Sequence, residues 1–282
     1  MFRGTLLHEL LHLPNYWKVV RASPDLPYPV QKIAFGDHYR QYFLIVEPAE
    51  PPLGWIIYWH GGGWQFGSPE QFQKTAHPFL DAGYGVIIPS YRRLPWNDFR
   101  TIRQDTIMAL AACRNFWQSK GNPHPHVVLL GMSAGGHLAS IAGLDKSILQ
   151  EAGWDLAQIK GVVACGGVLD FSLMKNNPII RLLAGHPERA TYSLANPVAQ
   201  IAKQTAKLPP FLLIHGTKDG MVPYEAVVSF QKCYREHSSA STCDLITMQR
   251  GTHLDAARWM FKDTLLRQNI MAKVGRWLMV DR

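Results

Sequence analysis

Residues 131–135, Gly131-Met132-Ser133-Ala134-Gly135, set a serine between two glycines directly after the apolar run Val127–Leu130. Gly-x-Ser-x-Gly alone is a loose pattern. A strand before it and a helix after it make it a sharp turn that pushes the hydroxyl outward. The glycines are needed because larger side chains would clash with backbone in so tight a turn. The helix start also places free N–H groups beside the reacting atom. A serine hydroxyl is a poor nucleophile at neutral pH and needs a base, which a carboxylate must orient. With such a turn the chain order is serine, acid, histidine. His253, in Arg250-Gly251-Thr252-His253-Leu254, follows the last expected strand and precedes the final expected helix. His215 ends the run Phe211–Ile214 but precedes every well-placed acid. Asp219, in His215-Gly216-Thr217-Lys218-Asp219-Gly220, lies just beyond a strand end and is the favoured acid. Asp255 is too close to His253 in sequence, and Asp244 sits at a strand start, the wrong edge of a parallel sheet. Asp170 also follows a strand and is the competitor.

Acyl transfer by such a set passes through a tetrahedral intermediate whose negative oxygen needs preorganised donors. His60-Gly61-Gly62-Gly63-Trp64 leaves an earlier strand, and its glycines let backbone N–H groups approach a ligand closely. The N–H of Ala134, the residue after the serine, is the second expected donor. A glycine-rich loop can also cradle phosphate, but no GxxxxGK[ST] is present and no GxGxxG opens the first strand–helix unit. His60 is expected to brace the loop rather than to catalyse. Trp64 and Phe66 suggest an aromatic wall of a substrate site, with core packing as the plain alternative.

The elements that must hold these residues read as alternating strands and helices. Gln31–Phe35 and Tyr39–Val46 are expected strands, with an antiparallel start to the sheet. Further strands are expected at Trp55–Trp59, Gly85–Pro89, Val127–Leu130, Gly161–Cys165, Phe211–Ile214 and Asp244–Met248. Ser68-Pro69-Glu70-Gln71 resembles a capping box opening a helix to about Ala82. Ile102–Lys120, a segment after Ser133 to about Gly143, Glu225–Glu236 and Ala256–Leu278 are the other expected helices. Apolar strands alternating with helices predict βαβ units: an α/β fold, a mostly parallel central sheet and helices on both faces. One domain over 1–282 is expected, with a helical segment at 1–25. The alternation lapses at 170–209, a candidate small cap or insertion near the carboxyl edge of the sheet, where ligands bind.

With 47% hydrophobic and 18% charged residues, 282 residues can bury a sizeable core. The net charge of +8 favours weak attraction to polyanions but brings no nucleic-acid motif. The densest basic run, Arg92, Arg93, Arg100 and Arg103, reads as a solvated helix face or loop. Cys113, Cys165, Cys233 and Cys243 lie far apart. Cys113 and Cys165 read as buried hydrophobes, and reduced thiols in a cytoplasmic protein are a plainer reading than a Cys233–Cys243 pair. No apolar run approaches the roughly 18 residues of a membrane span. In the N-terminal stretch, His8, Glu9 and His12 interrupt a signal-like apolar run. Leu6, Leu7, Leu10, Leu11 and Leu13 crowd one face at helical spacing. A short amphipathic helix, packed on the body or over a cleft, is expected.

HGGGW, GMSAGG, HGTKD followed by Val222-Pro223, and GTHLD occur in the order and approximate spacing of the α/β-hydrolase esterases. Over residues 25–280 the chain resembles the hormone-sensitive-lipase-like and bacterial feruloyl/acetyl-esterase-like carboxylesterases, and is similar to kynurenine formamidases. Tyr91-Arg92-Arg93-Leu94-Pro95 with Asp105, and Ala195-Asn196-Pro197, are further family-like features. Arg93 and Leu94 depart from the usual Leu and Ala of that motif, and Trp96 from its Glu. The resemblance implies a Ser133–His253–Asp219 triad with an oxyanion hole from Gly62, Gly63 and Ala134, needing no metal or organic cofactor. The expected activity is hydrolysis of small, short-chain carboxylic esters, with a small-molecule substrate and no nucleic acid; a homodimer stays open. Arylformamidase action on the same triad is the near alternative, and a catalytically silent binding protein on this fold the distant one. A prolyl-oligopeptidase-type peptidase lacks the room for its propeller.

Overall fold

A computed structural model describes residues 4–122, 124–174, 176–203, 207–238 and 240–279. Its strands are β1 (Val30–Ala34), β2 (Tyr42–Val46), β3 (Trp55–Trp59), β4 (Gly85–Pro89), β5 (Val127–Met132), β6 (Ile159–Cys165), β7 (Phe211–Gly216) and β8 (Cys243–Met248). Successive strand side chains point to opposite faces, so a strand that is apolar throughout must be covered on both. In β3, Trp55, Ile57 and Trp59 enter one apolar layer while Ile56 and Tyr58 enter the other. β5 divides in the same way, with Val127 and Leu129 opposite Val128, Leu130 and Met132. The eight strands lie in the order β1-β2-β4-β3-β5-β6-β7-β8. β1 with β2 and β2 with β4 are antiparallel, and every other neighbour pair is parallel.

The longer helices are α1 (Leu6–Ala22), α2 (Phe99–Ser119), α3 (Ala134–Leu144), α4 (Tyr224–His237) and α5 (Leu265–Met279). α2, α3 and α4 supply one layer, through Ile102, Leu138, Ile141 and Phe230 among others. α1 and α5 supply the other, through Tyr16, Val20, Ile270 and Val274. The parallel strands β3, β4, β5, β6, β7 and β8 therefore end along one edge, where the segments that follow them gather.

Two helices differ from the sequence expectation. The stretch expected as one helix to Ala82 is a short helix Pro69–Phe72, a 3-10 turn Gln73–Ala76 and a second short helix His77–Leu80. Ser68 makes no side-chain cap bond. Pro78 has no N–H to continue a hydrogen-bonded ladder through this stretch. The expected helix 256–278 is a 3-10 segment Leu254–Met260 followed by α5. The Arg267 side chain donates to the carbonyls of Trp259 and Met260, both at 2.9 Å, satisfying acceptors at the break.

α1 inverts its expected packing. Leu6, Leu7, Leu10 and Leu11 are 51–66% exposed, while the buried residues are Glu9, Tyr16 and Val20. Residues 170–209 contain a 3-10 turn (Phe171–Met174) and short helices Pro178–Ala184, Ala190–Ala195 and Pro197–Ile201. The basic run is also more engaged than a solvated face. Arg92 grips the buried Asp105 through Nε and Nη2, and Arg103 pairs with Asp145 and Glu151. Arg93 is half-buried, with Nε and Nη2 lacking hydrogen-bond partners. All four cysteines are free, with Cys113, Cys165 and Cys243 buried.

Candidate active site

Ser133 sits between β5 and α3 at φ 55° and ψ −120°, a backbone conformation that costs a non-glycine residue about 1–3 kcal/mol. The turn holds it there because the surrounding backbone is packed to contact. A side chain on Gly135 would enter the carbonyl of Trp59, and one on Gly131 would enter that of Gly135. The Ser133 N–H donates to the Cys165 carbonyl at 2.8 Å, fixing the turn to the end of β6, and His137 N–H donates back to the Ser133 carbonyl at 3.0 Å.

One strand further along, Gly166 (φ +55°) carries the next contact. Its N–H donates to the Ile214 carbonyl at 2.8 Å. A Cβ there would stand 3.2 Å from Nδ1 and Cε1 of His253 and 3.6 Å from the Asp219 carboxylate. Gly166 thus leaves the room in which Asp219 and His253 meet, a residue the sequence did not single out.

The loops after β7 and β8 bring that pair together. His253 Nδ1 lies 2.7 Å from Asp219 Oδ2, with both side chains withdrawn from solvent. Asp219 Oδ1 accepts the N–H groups of Met221 and Val222 at 2.9 and 2.8 Å, which orients the carboxylate. His215 is the second missed contributor. Its Nε2 lies 3.2 Å from Asp219 Oδ2 and 3.1 Å from the Val222 carbonyl. Both neighbours are acceptors, so Nε2 carries the proton and donates. The i,i+4 spacing of His215 and Asp219 was a visible signal, but it points to support of the acid rather than to a base. Burial alone would raise the Asp219 carboxyl, yet the charge of His253 and hydrogen bonds from His215 and His253 hold it well below the usual carboxylate range. For His253, burial lowers the imidazole, but the Asp219 charge and hydrogen bond, with a smaller contribution from Glu9, leave it raised overall. The two shifts describe one attraction.

The rejected acids are occupied elsewhere. Asp170 accepts from the N–H and hydroxyl of Ser172 and from Ser229 Oγ at 2.6 Å. Asp255 accepts from Thr252 and pairs with Arg258, and Asp244 pairs with Lys273.

On the other side of the serine, the loop after β3 turns through Gly62 (φ 122°), Gly63 (φ 59°) and Trp64 (φ 58°). The Gly62 carbonyl accepts from Gln65 and Phe66 N–H, closing the turn. A Cβ on Gly61 would touch Ser133 Cβ at 3.4 Å, which brings the loop against the nucleophile. Ala134, whose N–H is the other expected donor, opens α3 and is buried. His60 braces the loop: it stacks between Phe72 and Tyr91, its Nδ1 lies 2.8 Å from the Gly61 carbonyl, and burial lowers it to about 4. Trp64 corrects the expected aromatic wall. It is 2% exposed and packs edge-on against His137 in the core, whereas Phe66 is 70% exposed.

A third support comes from the far end of the chain. Glu9 of α1 is fully buried, and its Oε1 accepts the N–H of Gly220 at 3.1 Å and of His253 at 2.7 Å. No sequence signal near Ser133 pointed to it.

Comparison with known proteins follows the same architecture. The BD-FAE family profile matches residues 45–234, which include the Ser133 turn and Asp219 but not His253. A probable isoprenylcysteine alpha-carbonyl methylesterase of Oryza sativa subsp. japonica is 21% identical over 89% of this chain and 64% of its own length. The probable carboxylic ester hydrolase LipM of Mycobacterium tuberculosis is 28% identical over 63% of this chain and 44% of its own. The chain thus spans less than two thirds of either curated relative. Esterase B of Lactobacillus rhamnosis superposes with a TM-score of 0.74 at 21% identity, covering 96% of this chain and 93% of that one. Its likeness establishes the α/β-hydrolase fold.

Proposed function

The chain belongs to the BD-FAE family, and we propose that it is a serine carboxylesterase hydrolysing small carboxylic esters through an acyl-enzyme on Ser133. The observation that carries this reading is the 2.7 Å contact of His253 Nδ1 with a buried, doubly supported Asp219, beside Gly166, whose neighbour Cys165 accepts the Ser133 N–H.

Ser133 Oγ attacks the ester carbonyl carbon while His253 Nε2 takes its proton. Asp219 holds the tautomer that leaves Nε2 free and stabilises the imidazolium. Backbone N–H groups of Gly62, Gly63 and Ala134 receive the oxyanion. The carbonyl re-forms, the alcohol departs with the proton from His253, and water repeats the sequence on the acyl-enzyme. The strained backbone of Ser133 supports the role, since such strain persists where geometry serves a site. No cofactor is required by these steps.

The relatives are named for action on esters, one of them a methylesterase, which supports an ester over a formamide as substrate. The exposure of Phe66 on the loop after β3 supports reading it as a contact for an acyl or alcohol group. The short helices of 170–209 act as a small cap on one domain, with α1 supporting the triad loops. Among the described residues no helix is long and apolar enough to cross a membrane. Four free cysteines support work in a reducing compartment such as the cytoplasm.

A p-nitrophenyl ester series of increasing acyl length, run beside N-formylkynurenine, tests the reading. Acetate and butyrate esters are expected to turn over fastest, and Ser133→Ala is expected to lose on the order of a thousandfold or more. A preference for N-formylkynurenine, or full ester activity in Ser133→Ala, would overturn it.

A further inference from the structure

The Asp219 loop and the His253 loop leave different strands, yet both are bonded to one atom. Glu9 Oε1 accepts the backbone N–H of Gly220, the residue after the acid, and the N–H of the base itself. Glu9 is 0% exposed, and its Oε2 has no hydrogen-bond partner. Burying a carboxyl group with one oxygen unpartnered is costly, so a helix with no task beyond packing would carry an apolar residue here. The rest of α1 is built to reach this point. Thr5 caps the helix by accepting the His8 N–H at 3.2 Å. A Cβ on Gly220 would enter the Thr5 backbone, so the acid loop and the start of α1 pack without a gap. Tyr16 and Val20 anchor the buried face further along, with Tyr16 Oη lying 3.7 Å from Met132 Sδ, next to the nucleophile.

We propose that Glu9 is a positioning residue of the active site, tying the acid and base loops to one carboxylate oxygen and holding a negative charge beside His253. This rests on the triad reading above. Glu9 touches neither the nucleophile nor the reacting carbonyl. It acts through the backbone of the two loops and through its field at the imidazole, where it adds to the effect of Asp219. The other titratable groups around His253 are Asp219 and His215 from β7 and its loop, and Asp255 with its partner Arg258. On the outer side, His8 and His12 of α1 share a cavity with Thr252, Leu254, Asp255 and Arg258. Glu9 differs from Asp219 in accepting a backbone N–H from each of the two loops, on a single oxygen.

The test compares Glu9→Gln and Glu9→Ala with the unaltered enzyme on p-nitrophenyl acetate across pH. Glu9→Gln keeps an acceptor oxygen but removes the charge. Its acid limb in kcat/KM is expected to move to lower pH by about 0.5–1 unit, because a nearby negative charge favours the imidazolium. Glu9→Ala also removes the acceptor, and its kcat is expected to fall about 10–100-fold with KM changed much less, the range seen when a group orienting a site residue is lost. Circular dichroism and melting of each variant accompany the kinetics. If Glu9→Ala fails to fold, Glu9→Gln still decides the role of the charge, and Glu9→Asp, whose carboxylate is one methylene short of the two N–H groups, decides the positioning role, an unchanged kcat there overturning it. An unmoved acid limb in folded Glu9→Gln would overturn the electrostatic role, and an unchanged kcat in folded Glu9→Ala the positioning role. Fluorophosphonate labelling of the unaltered enzyme separates this outcome from failure of the triad. Labelled Ser133 with indifferent Glu9 variants sinks only the present inference, whereas an unlabelled Ser133 sinks the reading beneath it.

Discussion

Ser133 and Glu9 stand more than a hundred residues apart and are held at one candidate site by different means. At the Ser133 turn, backbone meets backbone: Gly131, Gly135 and the carbonyl of Trp59 leave no space for a side chain, and the serine is forced into its strained conformation. At α1, the helix reaches the site through one carboxylate on its buried side and leaves four leucines facing outward. Backbone contact at the turn tolerates almost no substitution, whereas α1 concentrates its tolerance on one face and its importance on three residues. Substitutions can therefore test the two regions separately.

The largest expected effect is on the acid. Asp219→Asn keeps the shape but favours the wrong imidazole tautomer, and kcat is expected to fall about 10⁴-fold, as in other triads. A loss below about tenfold would show that Asp219 does not orient the base. Next comes Gly135→Ala, whose new methyl group must displace the Trp59 carbonyl. A loss of more than about 4 kcal/mol in denaturant unfolding is expected, and a near-neutral result would contradict the packed turn. Tyr16→Ala addresses α1 from its buried side and should cost about 3 kcal/mol, typical of a large aromatic removed from a core. The pH profile is a finer probe. If His253 is the base, its neutral form is the active one; the Asp219 charge raises its pKa, so kcat/KM should fall as pH drops through a value above the ordinary 6.5 of a free histidine. A limb below 6.5 would mean that the Asp219 attraction does not prevail over burial. The smallest effect belongs to the outer leucines. Leu10→Lys combined with Leu11→Lys should change unfolding free energy by less than about 0.5 kcal/mol, and a large loss would place that face against something.

The same contrast explains what could be read before the fold was known. The strands β3, β4 and β5 announce themselves because both faces are covered, leaving unbroken apolar runs bounded by glycine, histidine or proline. The order serine, acid, histidine could be proposed from the chain because Ser133 and Asp219 each follow an apolar strand, whereas β8, ahead of His253, is only partly buried. Gly166 was not legible, since its place depends on β6 and β7 lying side by side, which spacing along the chain does not reveal; His215 stands four residues before Asp219, but only the fold shows its Nε2 turned to that carboxylate. α1 misled for a physical reason. Leucine periodicity marks a helix correctly, but which side is buried depends on what the helix meets, and here it meets two loop N–H groups that need an acceptor. Trp64 followed the same logic in reverse: its place beside the oxyanion loop suggested a substrate wall, while its ring fills the core against His137.

The most direct test of the whole account is active-site labelling with a fluorophosphonate, followed by peptide mapping. One label per chain is expected, on the peptide that carries Ser133, with slower labelling in Asp219→Asn. A folded protein that takes no label, or one labelled at a serine other than Ser133, would contradict it.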